Sequence, residues 1–400
     1  MRLWAAMNKY LYNLFFLSML IHSVSTLYSL GNDAFGEEMQ FAIPSYCELI
    51  MESIAFYYML SNIRYILKGS LKIRIFLWLC YVTISVLLFS NGKTMLFDLR
   101  QVVMWGSVFF MGYIVAKDNP EYVVRFRKLI MIFLPVFVFI FYFISQFRTF
   151  GINQDGVIAS NNTIYFILML LPVLQLAESK KVQLILLALI TLCVLYSMKR
   201  TAIIATVMCV LAYVYYSWLK HNRDIMKKAM VVLAAGATAY GLYSMLDGSY
   251  LFSRFESIQE DKGSNRLDIY SVVWDKIVVS SDSEILFGHG FNAVMRNNAS
   301  GENQSAHNDF LEILYDYGLF GLMLYLSIIA AVVRLALRVK RERRFSDLFL
   351  PMAMSVFILL IVSMFSHLAI YPMYYIYLTC FWGIVVGTIH YRRVRLAMPD

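Results

Sequence analysis

Two arginines and a histidine stand out by position. Arg200 follows Lys199 in the short turn of YSMKRTAIIATV, between two apolar runs, and Arg266 lies in GSNRLDIYSVVW, within the longest polar stretch of the chain. A guanidinium at a membrane surface calls for an anion, and its planar fork matches the oxygens of a phosphate. Two plainer readings stay open: Arg200 could snorkel to lipid headgroups, and Arg266 could form a surface pair with Asp268 or Asp275. His307 sits in SAHNDFLEILYDYGLFGLMLYL, directly before an apolar run. A neutral imidazole there is poised near pH 7 to accept a proton, although a histidine that only hydrogen-bonds at a helix start fits the same pattern. Asn308 follows it, and His289 stands between glycines in LFGHGFNAV, where a tight turn is expected.

Several other chemistries have no residues to carry them. The chain has no Walker A loop, no G-x-G-x-x-G, no H-E-x-x-H, no G-x-S-x-G and no Asp-x-Asp for a metal-bound nucleotide sugar. No cofactor and no metal ion is therefore expected. The five cysteines (Cys47, Cys80, Cys193, Cys209 and Cys380) lie in apolar runs without a C-x-x-C, so they indicate neither disulfides nor a metal site. Asp33, Glu37 and Glu38 crowd a short loop and read as solvated charge rather than as a catalytic carboxylate pair.

The elements that must position these residues follow from composition. Of 400 residues, 60% are hydrophobic and only 15% charged, and such an apolar excess cannot be folded inside one soluble core. A helix needs about 20 apolar residues to cross a bilayer. Twelve runs qualify as candidates: 10–30, 41–60, 75–90, 96–116, 129–147, 164–178, 182–197, 201–219, 229–246, 310–333, 348–366 and 370–390. The expected fold is an all-α polytopic membrane bundle of about twelve transmembrane helices. It divides into helices one to nine (1–246), a large extracytoplasmic loop containing short helices (247–309), and helices ten to twelve with a cytoplasmic tail (310–400).

Charge orients the bundle. With the N-terminus inside, 25 of the 35 basic residues fall in cytoplasmic loops, and an even helix number returns the basic C-terminus to the same side. The net charge of +9 is thus a topology signal and does not imply nucleic acid. The ten basic residues outside that arrangement are Lys93, Arg100, Arg148, Lys199, Arg200, Arg254, Lys262, Arg266, Lys276 and Arg296. Half of them lie in the long loop, whose length marks it as functional or disordered. Within it, Ser264 or Asn265 can cap a helix on which Arg266, Ile269, Tyr270, Val273 and Ile277 share one face.

The order MKRTA, GSNRLDIYSVVW, LFGHG, then HN, nine residues and GLFG resembles the O-antigen ligase and Wzy-type polymerase superfamily of bacterial inner-membrane proteins. The likeness covers residues 196–326, and it departs from the family pattern at Lys199, where a small polar residue is usual. The resemblance implies a metal-independent glycosyltransferase that takes a polyprenyl-diphosphate-linked glycan at the outer face of the inner membrane. It implies that Arg200 and Arg266 bind the donor diphosphate and that His307 is the general base. Lys199, His289, Asn308, Arg100 and Arg148 are candidates for supporting roles. Expected partners are the lipid-linked donor, a glycan or lipid A-core acceptor, membrane lipids and a chain-length regulator. Within the superfamily we expect a polymerase, on base rate alone, with a ligase as the alternative. A transporter or flippase is the rival of another class, disfavoured because no internal repeat is visible.

Overall fold

The computed structural model describes residues 2–33, 42–90, 92, 94–141, 163–197, 199–216, 266–301, 304–368 and 371–397. Arg148, Lys93, Arg254, Lys262, Glu37, Glu38, the Ser264 or Asn265 cap and the run 229–246 lie outside the described residues. The described chain is all-α. In order, the helices are α1 (Arg2–Asp33), α2 (Ala42–Ser61), α3 (Ile63–Ile66), α4 (Ser70–Phe89), α5 (Met95–Asp118), α6 (Pro120–Phe139), α7 (Ile164–Leu174) and α8 (Lys180–Tyr196). They continue as α9 (Arg200–Val214), α10 (Arg266–Val278), α11 (Asp282–Phe287), α12 (Ala293–Arg296), α13 (Asp309–Arg341), α14 (Phe349–Phe365) and α15 (Pro372–Ala397).

Among the described residues, six segments are helical, long and apolar enough to cross a membrane: Asn8–Tyr28, Ser70–Phe89, Met95–Asp118, Asp309–Arg341, Arg343–Phe365 and Pro372–Leu396. Ile164–Leu174 and Arg200–Val214 are shorter apolar helices. Where helix ends depart from the expected apolar runs, the helix continues into charged sequence. The run expected at 129–147 belongs to a helix beginning at Pro120, a favourable first helical residue, and Arg125, Arg127 and Lys128 lie on its early turns. Likewise α13 outruns its apolar stretch as far as Arg341. Backbone hydrogen bonding, not hydropathy, sets where a helix stops.

The bundle is built around α5 and α15. Lipid tails are as apolar as side chains, so close contact rather than burial from water must hold such helices together. Glycine permits it here: a Cβ on Gly383 would collide with the Phe109 carbonyl, and one on Gly112 would lie 2.5 Å from the Cys380 carbonyl oxygen. Trp105 packs on Tyr375 across this seam at 5.2 Å between ring centres.

A second, smaller core sits at the N-terminal end of α13. Ile269, Val273 and Ile277 of α10 are buried against Ala293, Val294, Ala299, Ala306 and Tyr315. The face expected from the 3, 4 and 7 spacing is thus the face that packs. This cap is joined to the bundle where α13 kinks at Gly318, which has φ 64° and ψ −169°. Gly288 lies against the Asp316 carbonyl and Gly318 against the Leu286 carbonyl, so a Cβ at either would overlap backbone. The Tyr81 hydroxyl of α4 donates to the carbonyls of Tyr317 (2.6 Å) and Phe287 (3.2 Å) and ties the junction to the bundle.

Candidate functional site

His307 lies in the turn that enters α13, and two acids on the first turn of that helix fix the turn from either side. The Glu312 carboxylate accepts from the Ala306 N–H at 2.6 Å. Asp309 accepts from the Leu368 N–H at 2.7 Å, in the turn between α14 and α15, and from the Tyr325 hydroxyl at 3.2 Å. Asn308 is the helix cap: its side-chain oxygen accepts from the N–H groups of Phe310 (2.9 Å) and Leu311 (3.2 Å), while its amide donates to the Met364 carbonyl at 3.2 Å. Held this way, His307 itself adopts φ 51°, a left-handed conformation that few non-glycine residues adopt, although asparagine, aspartate and histidine do so more often than others. Such strain is tolerated where the surroundings over-determine it.

The same contacts bring two histidines together. The His307 ring stacks on His367 with centres 4.9 Å apart and planes 28° apart, and His367 in turn packs on Tyr371 at 4.4 Å. His367 Nδ1 is 3.0 Å from the Ser305 hydroxyl. His307 Nδ1 is buried and has no hydrogen-bond partner among the described residues. Burial pushes the His307 pKa down to about 4, and the nearby charges of Lys199 and Arg266 push the same way. His367 is also lowered, well below its ordinary value, by burial first and then by His307, Lys199 and Arg266. Both imidazoles are therefore neutral at pH 7, and a neutral imidazole has a lone pair with which to take a proton.

Lys199 and Arg200 arrive from the start of α9. Lys199 is the residue before the first turn, in extended conformation, and its side chain is 8% exposed; Arg200 opens the helix and is partly exposed. The Thr201 hydroxyl donates to the Phe365 carbonyl at 3.2 Å, which docks this helix start on the end of α14, beside His367. The charge of Lys199 at this helix start acts on both histidines. Arg266, the first residue of α10, reaches the pair from the cap side. Lys199, whose role the sequence left open, acts electrostatically on both histidines together with Arg266.

The other candidates sit elsewhere. Arg100 on α5 pairs with Glu48 of α2 and donates to the Ser45 carbonyl at 3.2 Å; Glu48 also meets His22 at 3.0 Å. Both of these partners of Arg100 belong to α2 and neither to the His307 cluster. His289 packs its ring flat on Tyr315 at 4.2 Å, with Nδ1 3.1 Å from the Tyr315 carbonyl oxygen, and its own carbonyl accepts from Arg296 at 2.6 Å. In this position it docks the LFGHG turn on α13.

Sequence reasoning missed the acids. Asp309, Glu312 and Asp316 are all fully buried, and Asp316 accepts from the N–H groups of Asn292 (2.8 Å) and Val294 (3.1 Å). Their spacing of three and seven places them on one helical face, a signal present in NDFLEILYDYG. In the sequence His367 is only a histidine just past the end of the run 348–366. Among the described residues no group of three or more His, Cys, Asp or Glu side chains could hold a metal ion.

Residues 185–326 match the family model described as O-antigen ligase. That stretch contains Lys199, Arg200, Arg266 and His307, and the match supports the resemblance to the O-antigen ligase and Wzy superfamily read from the motifs. Comparison with curated proteins gives no match.

Proposed function

We propose that this multi-pass membrane protein, related over residues 185–326 to the O-antigen ligases, is a polysaccharide polymerase. It transfers a polyprenyl-diphosphate-linked glycan to a hydroxyl of a second lipid-linked repeat unit, on the extracytoplasmic side of the inner membrane, with both termini inside. In this reading the bundle has about twelve spans, and the cap is part of the 247–309 outer loop. The observation that carries the proposal is the buried, neutral His307, whose Nδ1 has no hydrogen-bond partner among the described residues, lying in the field of Lys199 and Arg266.

The chemistry follows from that arrangement. The donor diphosphate lies between the Arg200 and Arg266 guanidiniums and the Lys199 ammonium. His307 accepts the proton of the acceptor hydroxyl while its oxygen attacks the anomeric carbon. The bond from that carbon to the diphosphate breaks, and the cations meet the charge that develops on the leaving polyprenyl diphosphate. Direct displacement inverts the anomeric centre. Binding also tunes the base: a diphosphate offsets the charges of Lys199 and Arg266, two of the influences that hold the His307 pKa low, so His307 becomes more basic when the donor is present.

The family match is equally compatible with a second reading, a ligase, whose acceptor would be lipid A-core. Both activities would use one donor pocket and differ in what docks at the acceptor side. The product pattern of a strain lacking the gene separates them. Loss of a polymerase leaves core lipid carrying a single repeat, whereas loss of a ligase leaves bare core and long chains on the polyprenyl carrier. We expect the single-repeat band. Replacing Arg200 or Arg266 by Lys should impair transfer although charge is kept, because an ammonium loses the bidentate fork. Wild-type rates in both variants would remove the diphosphate role. Single cysteines at Ser283 and Ser346 in a background without native cysteines test the orientation; an impermeant thiol reagent should label only the first in intact spheroplasts.

A further inference from the structure

The far end of α13 from His307 carries a second basic site. A cavity of about 390 Å³ opens between the start of α4 and the ends of α13 and α15, lined by Lys68, Lys72, Arg338, His390 and Arg393, with no carboxylate in its lining. Lys72 is the built part of it. Its side chain is 6% exposed, and its ammonium donates to the Tyr113 hydroxyl at 2.9 Å and to the Tyr65 carbonyl, and lies 4.0 Å from the centre of the Tyr113 ring. Among the described residues no carboxylate lies within ion-pair distance of it. A buried ammonium held only by neutral dipoles is a costly arrangement that an anion would relieve. Arg338 and Arg393 both pair with Glu342 just outside the cavity, at 2.8 and 2.7 Å, and Arg344 shares the same carboxylate, so this carboxylate leaves the rim with excess positive charge.

We propose that this cavity binds the phosphate headgroup of an anionic diacyl phospholipid. The shape argues for a lipid over a free anion. An adjoining cavity of about 270 Å³ shares Lys72, Leu335, Arg338 and Val386 and continues past Arg334 to Ala331, two turns from Arg338 toward the middle of α13. Lys68, Lys72, Arg338, His390 and Arg393 thus gather at one end of a trough that runs along a membrane-crossing helix past Leu335, Arg334 and Ala331, room for a headgroup with the start of its acyl chain beside it. Basic pockets between helices on the cytoplasmic side are favourable places for anionic headgroups, and the basic loops assign this end to that side.

The test is native mass spectrometry of the full chain released from nanodiscs made of phosphatidylglycerol and phosphatidylcholine with identical acyl chains. The wild type should retain phosphatidylglycerol preferentially, and the preference should fall about fivefold for each cation removed, in Lys72→Gln and in Arg338→Gln. Arg338 is half exposed, so its variant stays informative even if Lys72→Gln fails to fold. Lys128→Gln, another basic residue outside the cavity, should keep the wild-type preference. Equal retention of the two lipids, or an equal loss in Lys128→Gln and Arg338→Gln, would overturn the site. Loss of the bound lipid to millimolar inorganic phosphate would overturn the lipid assignment in favour of a free anion.

Discussion

The carboxylates at the two ends of α13 have opposite partners. At the His307 end Asp309, Glu312 and Asp316 are buried and accept from backbone N–H groups of three separate turns. At the other end Glu342 meets three arginines and Asp347 pairs with Arg392 at 2.7 Å, all at least partly open to solvent. The surrounding arginines hold the Glu342 carboxyl down at about 2 through their hydrogen bonds. Where one acid is shared by three arginines, positive charge is left over and each exposed pair adds little. Where acids instead hold the backbone, cations such as Lys199 and Arg266 act on the imidazoles beside them, and the geometry of the turn is fixed. The lesson is that a carboxylate can build a site without touching the substrate.

The largest expected effect separates the two ends most sharply. His307→Ala should reduce transfer by roughly 10²–10⁴-fold, the ordinary contribution of a placed general base, while expression and donor binding persist. Full activity in that variant would remove the base from the scheme. Next comes the junction that supports the cap. Gly318→Ala forces a Cβ into the Leu286 carbonyl at a backbone conformation reserved for glycine, and should cost about 1–3 kcal/mol or more, read as a lower melting temperature and looser proteolytic protection of residues 266–308. Unchanged protection would mean that the cap does not depend on the Gly288 and Gly318 contact.

The pH dependence sharpens the electrostatic side. His307 is held at about 4, below the ordinary 6.5, so the free enzyme keeps a neutral base down to that pH. The acid limb of kcat/KM, which reports the free enzyme, should lie near pH 4. With the proposed donor, that of kcat should lie at higher pH, because a bound diphosphate would offset Lys199 and Arg266. Coincident limbs would argue that no anion sits beside these cations. Stability carries the matching sign. Between about pH 4 and 6.5 the unfolded chain binds more protons at this histidine than the native one, so stability falls as pH falls through that window. His307→Ala should flatten that slope. The smallest effect belongs to the opposite end: Glu342→Ala should change stability by about 1 kcal/mol or less, measured as a melting shift, since its partners are exposed. A loss comparable with that of Gly318→Ala would erase the contrast between the ends.

Much of this molecule follows from local pattern. Eleven of the twelve expected apolar runs overlap a described helix, because backbone groups in hydrocarbon leave few other choices. The α10 face of Ile269, Val273 and Ile277 was legible from helical spacing alone. The types and order of Arg200, Arg266 and His307 were legible too, and so was the chemistry that guanidinium and imidazole can do.

Three matters were decided only by tertiary structure. One is the stacking of His307 on His367, sixty residues apart in the chain, which exists because Asp309 binds the turn between α14 and α15. Another is the fate of the candidate arginines: Arg266 acts on the histidine pair while Arg100 is taken up by Glu48. The third is the neutral state of His307, since burial and two neighbouring cations from distant segments set it. The division has a physical cause. Helix formation and membrane preference are summed over neighbours in sequence, whereas ring stacking, desolvation and Coulomb fields depend on neighbours in space, which a linear pattern does not encode.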